Sequence, residues 1–217
     1  EFSFPQDVAA YGDHLYVVDM NHRVSVHALD GTFVRSFGSK GSGDGELRYP
    51  SALAIGHDQV FVADSENHRI SVHTFHGTSL RTFGDKGSGD GQFERPYGMA
   101  VAGENVFVSD SGNNRISVHT LDGTFVRCFG SKGDGDDQFD YPTHLAVLGD
   151  NLFVVDLNNR RIKVHGLDGV FRREFGREDS DEAKLMVYSG VAVCNGLAFV
   201  TDYNGYVEEE EEEEEEE

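Results

Sequence analysis

The chain has 217 residues, 38% of them hydrophobic and 26% charged, which describes a water-compatible globular protein of one large or two small domains. Its longest apolar runs are a handful of residues, far short of the ~18 needed to cross a membrane as a helix. The formal charge is −21; ten of the 39 acids form one run, Glu208 to Glu217, and the remaining 29 against 18 bases leave −11.

Taken from the N-terminus, the chain repeats itself. Pro5, Pro50, Pro96 and Pro142 are spaced by 45, 46 and 46 residues, and Asp19, Asp64, Asp110, Asp156 and Asp202 follow the same step. Gly38, Gly84, Gly130 and Gly176 keep it too. The third copy shows the unit most clearly. Strand signals fall at 98–102, 105–110 (NVFVSD), 115–120 (RISVHT) and 124–129 (TFVRCF), all rich in Val, Ile, Phe and Thr. Gly103-Glu104-Asn105 and Leu121-Asp122-Gly123 carry tight-turn chemistry between them. No window has helical period. Four strands in each ~45-residue unit predict an all-β propeller of four-stranded antiparallel blades. The blades fall near 5–49, 50–95, 96–141 and 142–187, with a partial one at 188–207, about 4.5 in all. In the partial copy the first strand is expected near Gly190–Val193 and the second at Leu197–Asp202. A third is due at Val207, where polyglutamate begins. Glu cannot occupy the apolar positions of that strand. The expectation is therefore a part of a longer ring, with residues 208–217 an added tag or placeholder; the alternative is a genuine, unfolded acidic tail.

The triplets Asn21-His22-Arg23 and Asn67-His68-Arg69, with the variants Asn113-Asn114-Arg115 and Asn159-Arg160-Arg161, each follow an Asp and precede an Ile/Val-x-Val. Together with linkers of the form GSKGSGDGQF, this pattern resembles the NHL-repeat family over residues 1 to about 207. The resemblance implies a β-propeller, usually of six blades in that family.

The repeated Asp–Arg pairs (Asp19 and Arg23, Asp64 and Arg69, Asp110 and Arg115, Asp156 and Arg161) are expected to be structural. Asp and Asn acceptors satisfy turn amides, and each Arg pairs with its Asp or with carbonyls of the neighbouring linker. Copy one is a residue shorter here, so its loop should differ. The linker Gly41-Ser42-Gly43-Asp44-Gly45 resembles a phosphate loop, but no helix follows it. Asp134, Asp136 and Asp137 fail the EF-hand pattern. The fourth linker, from Gly176 to Glu182, loses its glycines and is a candidate for a separate contact surface. His27, His73, His119 and His165 recur at one position of the third strand. Neighbouring blades hold these positions roughly 15 Å apart at two strand spacings from the inner strand, too far for one ion. They are expected to pack between blades, where the family carries an aromatic. No cofactor and no metal site is expected.

Residues that differ between copies are the better guide to recognition. The positions after each Pro are placed at the mouth of the central channel: Gln6 and Asp7, Ser51, Tyr97, Thr143 and His144, and Ser189. The turns joining first to second and third to fourth strands should form an acidic end, and the other end should be of mixed charge. There is no GxSxG or HExxH, so the chain is expected not to be an enzyme. A protein-interaction scaffold is the leading function, by analogy with other propellers. Similarity to the tripartite-motif ubiquitin ligases implies RNA or substrate recognition as the alternative, with RNA disfavoured by the net acidity. The amidating lyases, also NHL-like, imply a channel zinc held by histidines, for which only His144 is placed. Neither DNA nor membrane is an expected partner. Two cysteines without a disulfide framework, and no visible signal peptide, point to the cytoplasm.

Overall fold

A computed structural model describes residues 1–176, 190–194 and 197–201. Four blades follow one another in the chain. The first holds β1 (Pro5–Tyr11), β2 (His14–Asp19), β3 (Arg23–Ala28) and β4 (Phe33–Phe37). The second holds β5 (Pro50–Gly56), β6 (Gln59–Asp64), β7 (Arg69–Thr74) and β8 (Ser79–Phe83). The third is β9 (Pro96–Ala102), β10 (Asn105–Asp110), β11 (Arg115–Thr120) and β12 (Phe125–Phe129), and the fourth β13 (Pro142–Leu148), β14 (Asn151–Asp156), β15 (Arg161–Gly166) and β16 (Phe171–Phe175). Each is an antiparallel sheet in chain order, and a further pair, β17 (Val191–Cys194) and β18 (Leu197–Val200), follows them. The inner strands β1, β5, β9, β13 and β17 pack side by side, which is the propeller arrangement. The expected Ser189, Asp202, fourth-linker surface and Glu run lie outside the described residues. The only helical elements among the described residues are two single 3-10 turns, Ser65–Asn67 and Ser111–Asn113. None is long and apolar enough to cross a membrane.

The second and third blades are covered on both faces, so their strands are apolar at successive positions rather than at alternate ones. Val60 and Val62 pack with Val18, Val24 and Val26 of the first blade. Phe61 and Ala63, which alternate with them in sequence, face Phe93 of the next linker and Met99 and Val108 of the third blade. The same division recurs between the third and fourth blades around Phe139, Ile116 and Val154. Gly98 allows a close backbone approach between inner strands: a Cβ there would lie 2.2 Å from the Thr143 carbonyl oxygen. In the first blade, Val8 is 57% exposed, whereas its equivalents Leu53, Met99 and Leu145 are buried against a preceding blade.

Three of the four third-strand histidines pack between blades as expected; His27, in the first blade, packs instead against Phe2 and against Phe33 of its own blade. Phe37 lies on His73, Phe83 on His119 and Phe129 on His165, with ring centroids 5.0 to 5.3 Å apart. Ser71 and Ser117 hydrogen-bond the Nε2 atoms of His73 and His119. Burial is the main cause that lowers the pKa of His73, His119 and His165.

A buried Asp at the end of each second strand ties the blade to the linker that enters it. In the second blade Asp64 accepts from the Arg48 amide (2.6 Å), Asn67 Nδ2 (2.8 Å) and Arg69 Nε (2.8 Å). Arg69 then donates to the carbonyls of Ser42, Gly43 and Glu46. Asp110 and Arg115 repeat this on Ser88, Gly89 and Gln92. The linker's own amides are also used: Glu46, Gln92 and Gln138 each accept from a glycine N–H. In the first blade Arg23 pairs with Asp19 and donates to the Glu1 carbonyl. Asp110 is fully buried, so its loss leaves Arg115 as an uncompensated internal charge. Asp110→Ala should therefore lower unfolding free energy by about 3–5 kcal/mol in a urea titration, whereas an exposed acid such as Asp90 should cost almost nothing.

The fourth blade departs from the pattern at one residue. Lys163 stands where the others have Ser25, Ser71 and Ser117, and it is fully buried. Its ammonium donates to the carbonyls of Gly135, Asp136 and Gln138 and lies 5.2 Å from the Phe139 ring centroid. Arg161, displaced from those carbonyls to 3.5 and 3.4 Å, turns Nη1 to Glu174 at 2.8 Å. Burial pushes the Lys163 pKa down from 10.5 to about 8. A lysine depressed in the folded state disfavours folding, and that penalty falls away as pH rises from the folded pKa to the unfolded one. Between pH 7 and 10.5 the wild type should therefore gain roughly 2–3 kcal/mol relative to Lys163→Ser, measured by denaturant unfolding at each pH.

Candidate functional site

The residues after each Pro divide. Gln6, Ser51 and Tyr97 line one cavity of about 450 Å³ with Met20, Tyr49, Pro50, Ser65, Glu66, Arg95 and Tyr141. Asp7, Thr143 and His144 do not line it. The Asp7 carboxylate instead bridges inner strands, accepting from the Leu53 amide at 2.9 Å, and burial pushes its pKa up to about 6. Thr143 is buried, and its carbonyl accepts from Ser109 Oγ across the blade boundary. His144 packs edge-on against Tyr97 at 5.4 Å. The Ser51 and Ser65 hydroxyls lie 2.7 Å apart, and each is within donating distance of a carbonyl, Ser51 of Tyr97 and Ser65 of Pro96.

The stronger signal lies one residue earlier in the repeat. Phe4, Tyr49, Arg95 and Tyr141 each precede the inner-strand Pro, and each has a left-handed backbone, with φ of 50°, 47°, 54° and 55°. Bulky side chains rarely adopt that conformation, which favours glycine and costs an L-residue about 1–2 kcal/mol. Three of these four line the cavity. Their amides are held by the middle residue of the preceding triplet. His22 Nδ1 accepts from Tyr49 (3.0 Å), His68 Nδ1 from Arg95 (3.1 Å) and Asn114 Oδ1 from Tyr141 (2.8 Å). The amide immediately before is held by the buried Asp described above. The linker end is thus pinned at two successive N–H groups, and the Tyr or Arg side chain is presented from a rigid base. Aromatics next to each Pro were the available sequence sign; the sign of φ was not.

The electrostatics of the cavity are balanced. Arg95 donates to Glu66 through Nε at 3.0 Å and through Nη2, and this hydrogen bond holds the Glu66 carboxyl below its usual range. These are the one base and the one acid of the lining. At the other end, Asp30, Asp122 and Asp168 accept amides of their own turns, two residues on. Among the described residues no three of His, Cys, Asp and Glu gather as metal ligands.

Residues 47–72 match the NHL repeat model, and the fourfold recurrence of that unit in a ring of blades fits an NHL-repeat propeller family. No curated protein sequence matches the chain. Among solved structures it is similar to virginiamycin B lyase from Staphylococcus aureus, with a TM-score of 0.64 at 15% identity over 94% of this chain and 71% of that one. It is similar to hydrazine synthase from Kuenenia stuttgartiensis, with a TM-score of 0.61 at 17% identity over 80% of this chain; it spans about half, 49%, of that one. A nidogen/laminin complex matches with a TM-score of 0.52 at 18% identity over 79% of each chain. At these identities the likeness is one of fold.

His22 accepts an N–H through Nδ1, so it must be neutral there, and burial is the main cause lowering its pKa from 6.5. A histidine depressed in the folded state supports the fold above 6.5, and that support is lost as pH falls through the folded pKa. The Tyr49 amide resonance should therefore move on acidification below pH 6.5, and His22→Asn should remove the movement, because Asn114 shows that an amide oxygen serves equally. An unchanged Tyr49 resonance in the wild type would refute the link.

Proposed function

We propose that this chain is a binding module rather than an enzyme: an NHL propeller that holds a protein partner across the tyrosine-lined groove at the channel mouth, without a cofactor. The observation that carries this is the left-handed backbone at Tyr49, Arg95 and Tyr141. Strained positions that glycine would fill at lower cost, occupied instead by bulky residues around one concavity, mark a function that stability alone does not explain. Tyr and Arg are also the residues that dominate protein-interface hot spots. A rigid base lowers the ordering cost of association. RNA recognition draws less support, because Arg95 is already neutralised by Glu66 and the chain is strongly acidic. An intracellular setting fits the exposed free thiol of Cys128.

Tyr141→Gly separates binding from folding. It relieves the left-handed strain, so unfolding free energy should hold or rise by about 1 kcal/mol. Affinity capture from native extract, read by mass spectrometry after nuclease treatment, should lose the bound protein. Capture that survives both Tyr141→Gly and Tyr97→Ala would remove the groove from the function.

A further inference from the structure

We propose that the groove takes a proline-rich segment in the polyproline II conformation; this rests on the groove being the partner site. Its lining includes three tyrosines, Tyr49, Tyr97 and Tyr141, together with Pro50 and Met20. Flat aromatic walls and few charges suit stacked prolyl rings, and aromatic-lined grooves are the recurring receptors for such segments.

The donors of the lining argue against an added strand. An added β-strand needs a ladder of backbone donors and acceptors. The groove offers little of one: Pro50 has no N–H, and the hydroxyls of Ser51 and Ser65 are engaged with the Pro96 and Tyr97 carbonyls. A polyproline II chain makes no internal hydrogen bonds and leaves its carbonyls outward, so a single well-placed donor serves it. Arg95 is that donor. Its side chain is 55% exposed, and Glu66 holds it through Nε and Nη2, which leaves Nη1 for a ligand carbonyl. The pairing with Glu66 also orients the guanidinium and removes the net charge a polyanion would need. Because Tyr49, Arg95 and Tyr141 are pinned through their amides, both partners enter the complex ordered, which reduces the entropic cost for a ligand that is itself stiff.

The test is fluorescence anisotropy of the full chain with a labelled oligoproline, a labelled Gly-Ser peptide of equal length and oligouridine. Oligoproline should bind saturably and the Gly-Ser peptide should not. Tyr97→Ala and Tyr49→Gly should each weaken binding about tenfold, with circular dichroism unchanged, while Phe33→Ser, exposed on the first blade, should not. Absence of saturable oligoproline binding, indifference to the tyrosine substitutions, or displacement by oligouridine with steep salt dependence would each overturn the proposal. If capture from extract still requires Tyr97 while oligoproline fails to bind, the ligand class is wrong and the site stands. If neither depends on Tyr97, both fail.

Discussion

A buried carboxylate that collects the amide of an entering linker and the Arg of its own blade is the interaction on which the fold depends. A glycine-rich linker has no strand or helix to satisfy its backbone, so its carbonyls need donors from elsewhere. Arg69 and Arg115 supply them in threes, and Asp64 and Asp110 supply the charge that makes a nearly buried guanidinium tolerable. The cost of desolvating these pairs is visible in the carboxyls themselves: burial pushes both Asp64 and Asp110 upward against the pull of their hydrogen-bonding partners. The fourth blade keeps the principle and changes the donor, with Lys163 taking the carbonyls and Arg161 moving to Glu174.

The same device shapes the groove. Its last two linker amides are fixed by the blade's Asp and by the previous blade's His or Asn, so the residue before Pro has no freedom to leave the left-handed region. A single constraint therefore does two things. It joins neighbouring blades, and it aims Tyr49, Arg95 and Tyr141 at one cavity. The joint between blades and the lining of the cavity share hydrogen bonds here, with the Asp that recurs in every copy holding the linker amide next to the residue that varies.

Much of this was legible in the repeat. Strands such as NVFVSD and RISVHT begin and end where their Val, Ile and Thr run out, and the period of 45 to 46 allows only a blade. The histidines between blades and the Asp–Arg pairing follow from sameness across copies. The cavity lining was half visible. Gln6, Ser51 and Tyr97 reach the groove, but Thr143, in the same register, and Asp7 and His144, one position on, do not line it, because each is drawn to neighbouring inner strands or to Tyr97. Tyr49, Arg95 and Tyr141 were missed since nothing in their identity reports the sign of φ; residues before Pro ordinarily adopt extended backbone.

By itself, then, the order of residues determined the number of strands, the blade period and the inward apolar positions, all of which arise from local pattern and turn chemistry repeated in phase. Tertiary structure alone decided which polar side chains meet. Arg69 reaches carbonyls 23 to 27 residues away, and Tyr49 finds its acceptor 27 residues back. Those partners are brought together by the stacking of one blade on the next, and a hydrogen bond exists only once that stacking has set its distance and direction.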